Sequence, residues 1–214
     1  MLTVDIWSDI VCPWCYIGKR RFEAALARFS HANDVEVTFH SFELDPRSAK
    51  VHAASHVEHL ANKYRVTPAQ AQQMIDRVTA AGADAGLELH LDKAHGGNTF
   101  DAHRLLHWAG LQNADAQSKL KHALLTAYHG RAENPGARDV LLRGAGEAGL
   151  DIERAAAILD SDEYAAEVRE RERHWQQLGI NSVPAVIIDD RHLISGGQPP
   201  EVFERALREL TAVA

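Results

Sequence analysis

Two cysteines, three positions apart and just behind an N-terminal strand, restrict what this chain can fold into more than any other feature. They are Cys12 and Cys15, the only cysteines among 214 residues, in the stretch SDIVCPWCYIGKRR. Ahead of them, LTVDIW (2–7) alternates apolar and polar residues as a half-buried strand does. Behind Cys12, Pro13 suits the first position of a helix, and Trp14, Ile17, Phe22, Leu26 and Phe29 recur at near-helical spacing. A helix over about 13–30 follows, with Cys12 at its N-terminus and Cys15 one turn in. At that terminus, free N–H groups and the helix dipole stabilise a thiolate, the reactive form of cysteine. A second thiol one turn away is placed to attack a mixed disulfide formed at the first. Zinc is the competing chemistry, but a single C-x-x-C supplies only two of the four ligands a structural site needs. The others would have to come from the 13 histidines or from carboxylates. An inert buried pair is the third reading.

The α/β texture appears at both ends of the chain and is interrupted between them. DVEVTFHSFEL (34–44) alternates, with Val35, Val37 and Phe39 on one face, and predicts a second strand closed by Asp45-Pro46. Residues 50–178 contain no convincing strand. Thr67-Pro68, Thr99, Asp115, Asp139, Asp151 and Ser161 can each open a helix, which predicts a block of five or six helices. PAVIIDD (184–190) and RHLISG (191–196) read as two short strands joined by an Asp-containing turn. QPPEVFERALREL then sets Val202, Phe203, Ala206, Leu207 and Leu210 on one helical stripe. Neither α/β end can cover both faces of a sheet alone, so the two must meet in space. The predicted fold is α/β: residues 1–49 and 176–214 form one domain and 50–175 a helical insertion.

Charge and hydropathy narrow the partners. An apolar fraction of 45% with 25% charged residues fits an ordinary globular chain. A formal net charge of -7 argues against nucleic acid or an anionic membrane as the main partner. No run of about 20 apolar residues is present to span a bilayer. MLTVDIWSDI lacks the basic, apolar and cleavage regions of a signal peptide, so the expected location is the cytoplasm. In a reducing compartment, paired cysteines serve catalysis or metal binding more often than structure.

A second signal lies near the C-terminus. In INSVPAVIID (180–189), Pro184 opens a strand after β-branched Val183, which suits a rigid turn and is compatible with a cis bond. Together with the strand–C-x-x-C–helix unit, this pattern resembles the DsbA-like thioredoxin-fold disulfide oxidoreductases, in particular their FrnE-like branch. SDIVCPWCYIGKRRFE, FELDP (42–46), NTFDAHRLLHWA (98–109) and GINSVPAVIIDDRHLISGGQPPEVF carry the resemblance, in order across the chain. It implies a thioredoxin fold interrupted by an all-helical insertion domain. Cys12 would be the nucleophile, Cys15 the resolving thiol, and a cis Pro184 would face them. Pro13, Trp14, Pro184 and the Val183 backbone would meet substrate. Asn98, Thr99 and His103 would lie beside the active site on the insertion as further substrate-binding residues, Asn98 and Thr99 forming a helix cap. The plainer reading of that stretch is a capped amphipathic helix with Leu105, Leu106 and Trp108 packed inward.

Two positions depart from the relatives. Trp14 stands where DsbA has His, which removes one donor to the thiolate. Ile6 stands where many thioredoxin-fold enzymes keep a buried carboxylate, six residues before the first Cys; Asp5 and Asp9 are nearby but carry no assigned role. The implied activity is thiol–disulfide exchange on protein or low-molecular-weight disulfides, as oxidase, reductase or isomerase. No cofactor or metal is called for, and glutathione is the candidate redox partner. One alternative is a glutathione-dependent isomerase or transferase of the 2-hydroxychromene-2-carboxylate isomerase or kappa type, which typically carries Ser at the Cys12 position. Another is a non-catalytic holdase or zinc-binding interaction protein. His52, His56 and His59, and His103 with His107, have helical spacing that can hold a metal, although surface histidines are the commoner case. GKRR (18–21) either lowers the Cys12 pKa or forms a solvated helix face.

Overall fold

Strand β1 (Leu2–Ser8) lies inside a four-stranded sheet and ends at the loop that carries the cysteines. The computed structural model describes residues 1–50 and 55–211. The strand order is β2-β1-β3-β4, with β2 Val35–Ser41, β3 Ala185–Ile188 and β4 His192–Ser195. β2 runs parallel to β1, Leu2 opposite Val35 and Ser8 opposite Ser41. β3 runs antiparallel to β1, with Ala185 opposite Trp7 and Ile188 opposite Val4. This register sets the Val183–Pro184 turn at the same end of the sheet as Cys12, although 171 residues separate Val183 from Cys12.

Alternation puts Val4, Ile6, Phe39, Val186 and Ile188 into one core. Helix α1 (Pro13–Ala27) adds Phe22 and Ala25 to it, and the C-terminal helix α9 (Pro200–Thr211) adds Phe203, Ala206 and Leu207. The Phe22 and Phe203 rings meet edge to face, 5.7 Å between centroids. Trp7, Phe42, Ile180 and Ala185 form a separate cluster, with Trp175 packed against it.

Between the two α/β parts the described residues hold seven α-helices: α2 His56–Tyr64, α3 Pro68–Asp84, α4 Phe100–Gln112, α5 Ala114–Leu125, α6 Arg138–Glu147, α7 Ile152–Leu159 and α8 Ala165–Gln177. The sequence pattern predicts five or six. Thr67 opens α3 through a reciprocal capping box with Gln70, and Asp151 caps α7 by accepting from the Glu153 and Arg154 N–H groups. Three caps differ from expectation. Asn113, not Asp115, accepts from the Ala116 N–H and opens α5. Asp139 lies inside the first turn of α6, behind Ala137. Ser161 hydrogen-bonds back to Ala157, and α8 starts only after Tyr164, whose φ is 63°. α1 stops at Ala27 and β2 at Ser41, each three residues short of the predicted end.

The cysteine loop is built into the helical part as well as the sheet. Ile10 is fully buried in a cluster with Leu105, Leu120, Leu124 and Tyr128. Tyr16 and Ile17 pack with Ile75, Leu87, Leu89, Leu91 and Leu125.

Candidate active site

Cys12 occupies the N-cap of α1, with φ −88° and ψ 110°, and Pro13 follows as the first helical residue. The Cys12 carbonyl accepts from the Cys15 N–H at 3.0 Å. Both thiols are free, Cys12 6% exposed and Cys15 3%. Their chemistry diverges. The Cys15 thiol donates toward Cys12, and the backbone N–H groups of Cys15 and Trp14 face the same sulfur; together these hold the Cys12 pKa below the ordinary thiol value, against burial and the Asp9 charge. Burial, with the hydrogen bond and charge of Cys12, pushes Cys15 well above it.

Across the loop, Cys12 Sγ lies 3.8 Å from the Val183 carbonyl oxygen. The Val183–Pro184 peptide is cis. The Pro184 carbonyl accepts from the Gly196 N–H at 2.8 Å. Pro184 and Gly197 leave no room beside α1: a Cβ on Gly18 would stand 3.2 Å from Gly197 Cα and 3.3 Å from Pro184 Cγ. A side chain there would require Pro184 or the Gly197 backbone to shift by a few tenths of an ångström.

Behind Cys12 sits an ordered acid. Asp9 is buried; one carboxylate oxygen accepts from the Ile10 N–H at 2.7 Å and the other from the Leu44 N–H at 2.7 Å. His103 Nε2 lies 3.2 Å from Asp9 Oδ1, and the Thr99 hydroxyl also bonds to Asp9. Burial pushes the Asp9 pKa up, but the His103 hydrogen bond and charge, with the Leu44 and Thr99 bonds, outweigh it and leave the pKa below the usual value. Thr99 therefore does not cap α4 with its side chain; Asn98 Oδ1 does, accepting from the Phe100 N–H at 2.9 Å.

Further back, Glu43 and Glu172 share Arg169, which also lies over the Phe100 ring at 3.8 Å from its centroid. Burial and the Glu172 charge push the Glu43 pKa up to about 7, and burial raises Glu172 too. A folded pKa above the unfolded one means that Glu43 ionises more easily in the unfolded chain. Its contribution thus erodes stability as pH rises from about 4.5 to about 7. Glu43→Gln is expected to flatten the fall in stability over that window and to raise the urea midpoint at pH 8 relative to the parent. An unchanged pH profile in paired urea titrations would contradict this placement of the carboxyl.

Lys121 reaches the same region from α5. It is 1% exposed, and its Nζ donates to the Ser8 carbonyl at 3.2 Å. His129 Nε2 lies 2.9 Å from the Ile10 carbonyl; burial holds this imidazole down at about 3, so it is neutral and donates to that oxygen.

A cavity of about 310 Å³ opens over Cys12, between the cysteine loop and the α2–α3 pair. Cys12, Pro13, Trp14, Thr99 and Val183 line one side, and Leu60, Tyr64, Met74, Ile75 and Val78 line the other. Trp14 is 39% exposed at its rim. The structure thus brings Cys12, Cys15, Pro13, Trp14, Val183 and Pro184 together. Of the three residues expected to meet substrate from the insertion, Thr99 lines the cavity and Asn98 and His103 do not. Asn98 Nδ2 donates to the Ser48 carbonyl and its oxygen caps α4, while His103 is fully buried and reaches the cleft only through Asp9. His56 and His59 border the cavity, with burial holding His56 down at about 4; His52 lies outside the described residues. His103 and His107 turn to different partners, His107 to the Tyr164 ring at 5.2 Å. Among the described residues no group of three or more His, Cys, Asp or Glu side chains could hold a metal ion, and no helix is long and apolar enough to cross a membrane.

Asp9 and Lys121 had signals in the sequence. Asp9 stands three residues before Cys12 in a short loop. Lys121 falls within the stripe Gln117, Leu120, Lys121, Leu124 and Leu125, all of which are buried. A charge inside an apolar helical stripe marks a buried ion.

The geometry joins a helix-capping thiol, a second thiol one turn on and a cis-proline turn beside the first. The DSBA-like thioredoxin domain family matches residues 3–208. The chain belongs to that family. It is 41% identical to a Streptomyces coelicolor protein described as a probable DsbA oxidoreductase, whose crystal structure superposes with a TM-score of 0.90 over 98% of this chain and 89% of that one. The Bacillus subtilis uncharacterized protein YwbO is 27% identical over 208 residues, 96% of each chain. The cytosolic disulfide reductase DsbM of Pseudomonas aeruginosa, in a structure with GSH, shares the fold at 15% identity and a TM-score of 0.67, over 98% of this chain and 99% of that one.

Proposed function

We propose that this member of the DsbA-like oxidoreductases is a thiol–disulfide oxidoreductase that works through Cys12 and Cys15. The placement of the two thiols carries this reading: Cys12 caps α1, borders the cavity and lies 3.8 Å from the Val183 carbonyl, with Cys15 one turn behind it. In the reducing direction the Cys12 sulfur attacks a substrate disulfide and one substrate sulfur leaves. Cys15 then bonds to Cys12 Sγ and releases the second. In the oxidising direction a substrate thiol attacks the Cys12 sulfur of the disulfide form. Pro13, Trp14 and Thr99 flank the incoming sulfur, and the Val183 backbone offers hydrogen bonds to an extended substrate. The apolar walls of the cavity favour substrates with apolar flanks, as protein or low-molecular-weight thiols and disulfides. Glutathione is the redox partner we propose, in the cytoplasm. The binding of GSH by DsbM, a cytosolic disulfide reductase, supports this assignment. Residues 1–49 and 176–214 act as the redox domain and 50–175 as the helical insertion that walls the cleft.

The test is the pH dependence of alkylation, read with insulin reduction and a glutathione redox titration. Iodoacetamide is expected to modify Cys12 first, at a pH below that needed for a free thiol, with Cys15 protected; peptide mass spectrometry assigns the site. Faster labelling of Cys15, or a parent protein inert in both insulin reduction and glutathione exchange, would reject the proposal.

A further inference from the structure

The floor beneath the cysteines holds a charge that thiol exchange, as described, leaves unused. Lys121 comes from α5, in the helical part, and ends under the last residue of β1, donating to the Ser8 carbonyl. A buried ammonium is costly unless an opposing charge faces it. The ionisable groups around it are Cys15 and Cys12 on α1 and Asp9 in the loop, which favour its cation, and Lys19 on α1, which opposes it. Asp9 already has His103 beside it. The thiol pair is the remaining source of negative charge, and Lys121 in turn acts to lower Cys15.

We propose that the Lys121 ammonium is the counter-charge that lets Cys15 ionise while it resolves a mixed disulfide at Cys12. The proposal rests on the thiol-exchange reading above. In the mixed disulfide, Cys12 Sγ is bonded to the substrate sulfur and carries no charge. Cys15 gives up its proton, and its sulfur forms a bond to Cys12 Sγ. The bond from Cys12 to the substrate sulfur breaks, and the electron pair leaves with the substrate sulfur, which ends as the thiol. No further oxidant or reductant enters. Lys121 makes no bond in this step; it is a positioning residue that stabilises the charge on Cys15. Burial holds the Lys121 amine at about 8, so the cation is present at neutral pH. Without it, only the backbone hydrogen bond at Asp9 would offset the burial that opposes ionisation of Cys15.

Stopped-flow reaction of the reduced protein with dithiobis(nitrobenzoate) separates the two events: the first nitrobenzoate thiolate reports attack by Cys12, the second reports resolution by Cys15. Lys121→Met is expected to slow the second release by about 10–100-fold at pH 7 and to move its pH profile up by about 1–2 units, the shift an opposite charge at close range produces. The first release should stay near the parent rate. A second release with parent rate and profile overturns the proposal. If the variant does not fold, lysine side-chain NMR of the unaltered protein decides: Lys121 should titrate at a lower pH in the disulfide form than in the dithiol form, and equal midpoints overturn the proposal. A parent that releases no nitrobenzoate thiolate sinks the thiol-exchange reading itself, a result distinct from failure of the Lys121 role.

Discussion

Cys12→Ser is expected to cut insulin reduction to below about 1% of the parent rate, because a serine hydroxyl is not ionised at neutral pH as a thiolate is. Cys15→Ser is expected to lose turnover equally but to leave Cys12 competent for its first attack. The two variants should therefore differ in their products. Incubated with oxidised glutathione or a disulfide-bonded protein, Cys15→Ser should accumulate a covalent adduct at Cys12 that dithiothreitol releases, whereas Cys12→Ser should accumulate none. The geometry sets this asymmetry: Cys12 borders the cavity, while Cys15 lies one turn behind it and is not among the lining residues. Intact-mass spectrometry before and after dithiothreitol is the measurement. An adduct on Cys15 in the Cys12→Ser protein would reverse the roles.

The second large effect concerns stability. Arg104→Met is expected to cost about 2–4 kcal/mol, because buried carbonyls that lose their donor cost about 1–3 kcal/mol each. Arg104 is buried, and its Nε donates to the Glu163 carbonyl at 2.9 Å and Nη1 to Asp101 Oδ1 at 2.8 Å. Nη2 donates to the carbonyls of Ile158 and Ser161, which end α7 and lead toward α8. Methionine fills part of the volume but removes the Arg104 donor from the Ser161 and Glu163 carbonyls, while the Ile158 carbonyl keeps the Ser161 N–H. The urea midpoint should fall, while the alkylation rate of Cys12 at a temperature where the variant remains folded should match the parent. A midpoint within error of the parent would show that the α7–α8 connection does not depend on this side chain.

These two residues illustrate what could be read from the sequence. The strand–C-x-x-C–helix unit was legible because proline, periodicity and thiol spacing are all local, and they placed Cys12 and Cys15 at the start of α1. The Val-Pro turn was legible as a turn, but its position 3.8 Å from Cys12 depends on antiparallel pairing of β3 with β1, which no local pattern encodes. The NTFDAHRL stretch divides the same way. Its helix was predicted, yet Thr99 and His103 turn to Asp9, and Arg104 turns to the end of α7. Both choices depend on which elements pack alongside. One helix cap was missed because a neighbouring side chain competed, Asn113 with Asp115, whereas α6 and α8 start without any side-chain cap. His103 and Lys121 come from the helices between the two α/β parts yet reach Asp9 and the end of β1, beside the cysteine loop.

Burial along the insertion is uneven, and this bears on how such a protein can change over generations. α4 and α5 each bury seven residues, whereas α2 buries none and α3 only Ala71, Ile75 and Gly82. A substitution in α4 or α5 disturbs Ile10 and the residues beneath the cysteines, so drift there is constrained by folding. On α2 and α3 fewer positions are buried, and the exposed ones vary at little cost. Those two helices form the wall that faces Cys12 across the cavity. Diversification of substrate choice therefore has a cheap route: the α2–α3 wall can be rewritten while α4, α5 and the thiol pair stay fixed. A chimera that takes only its α2–α3 segment from the Streptomyces relative would be the natural starting point for testing that route.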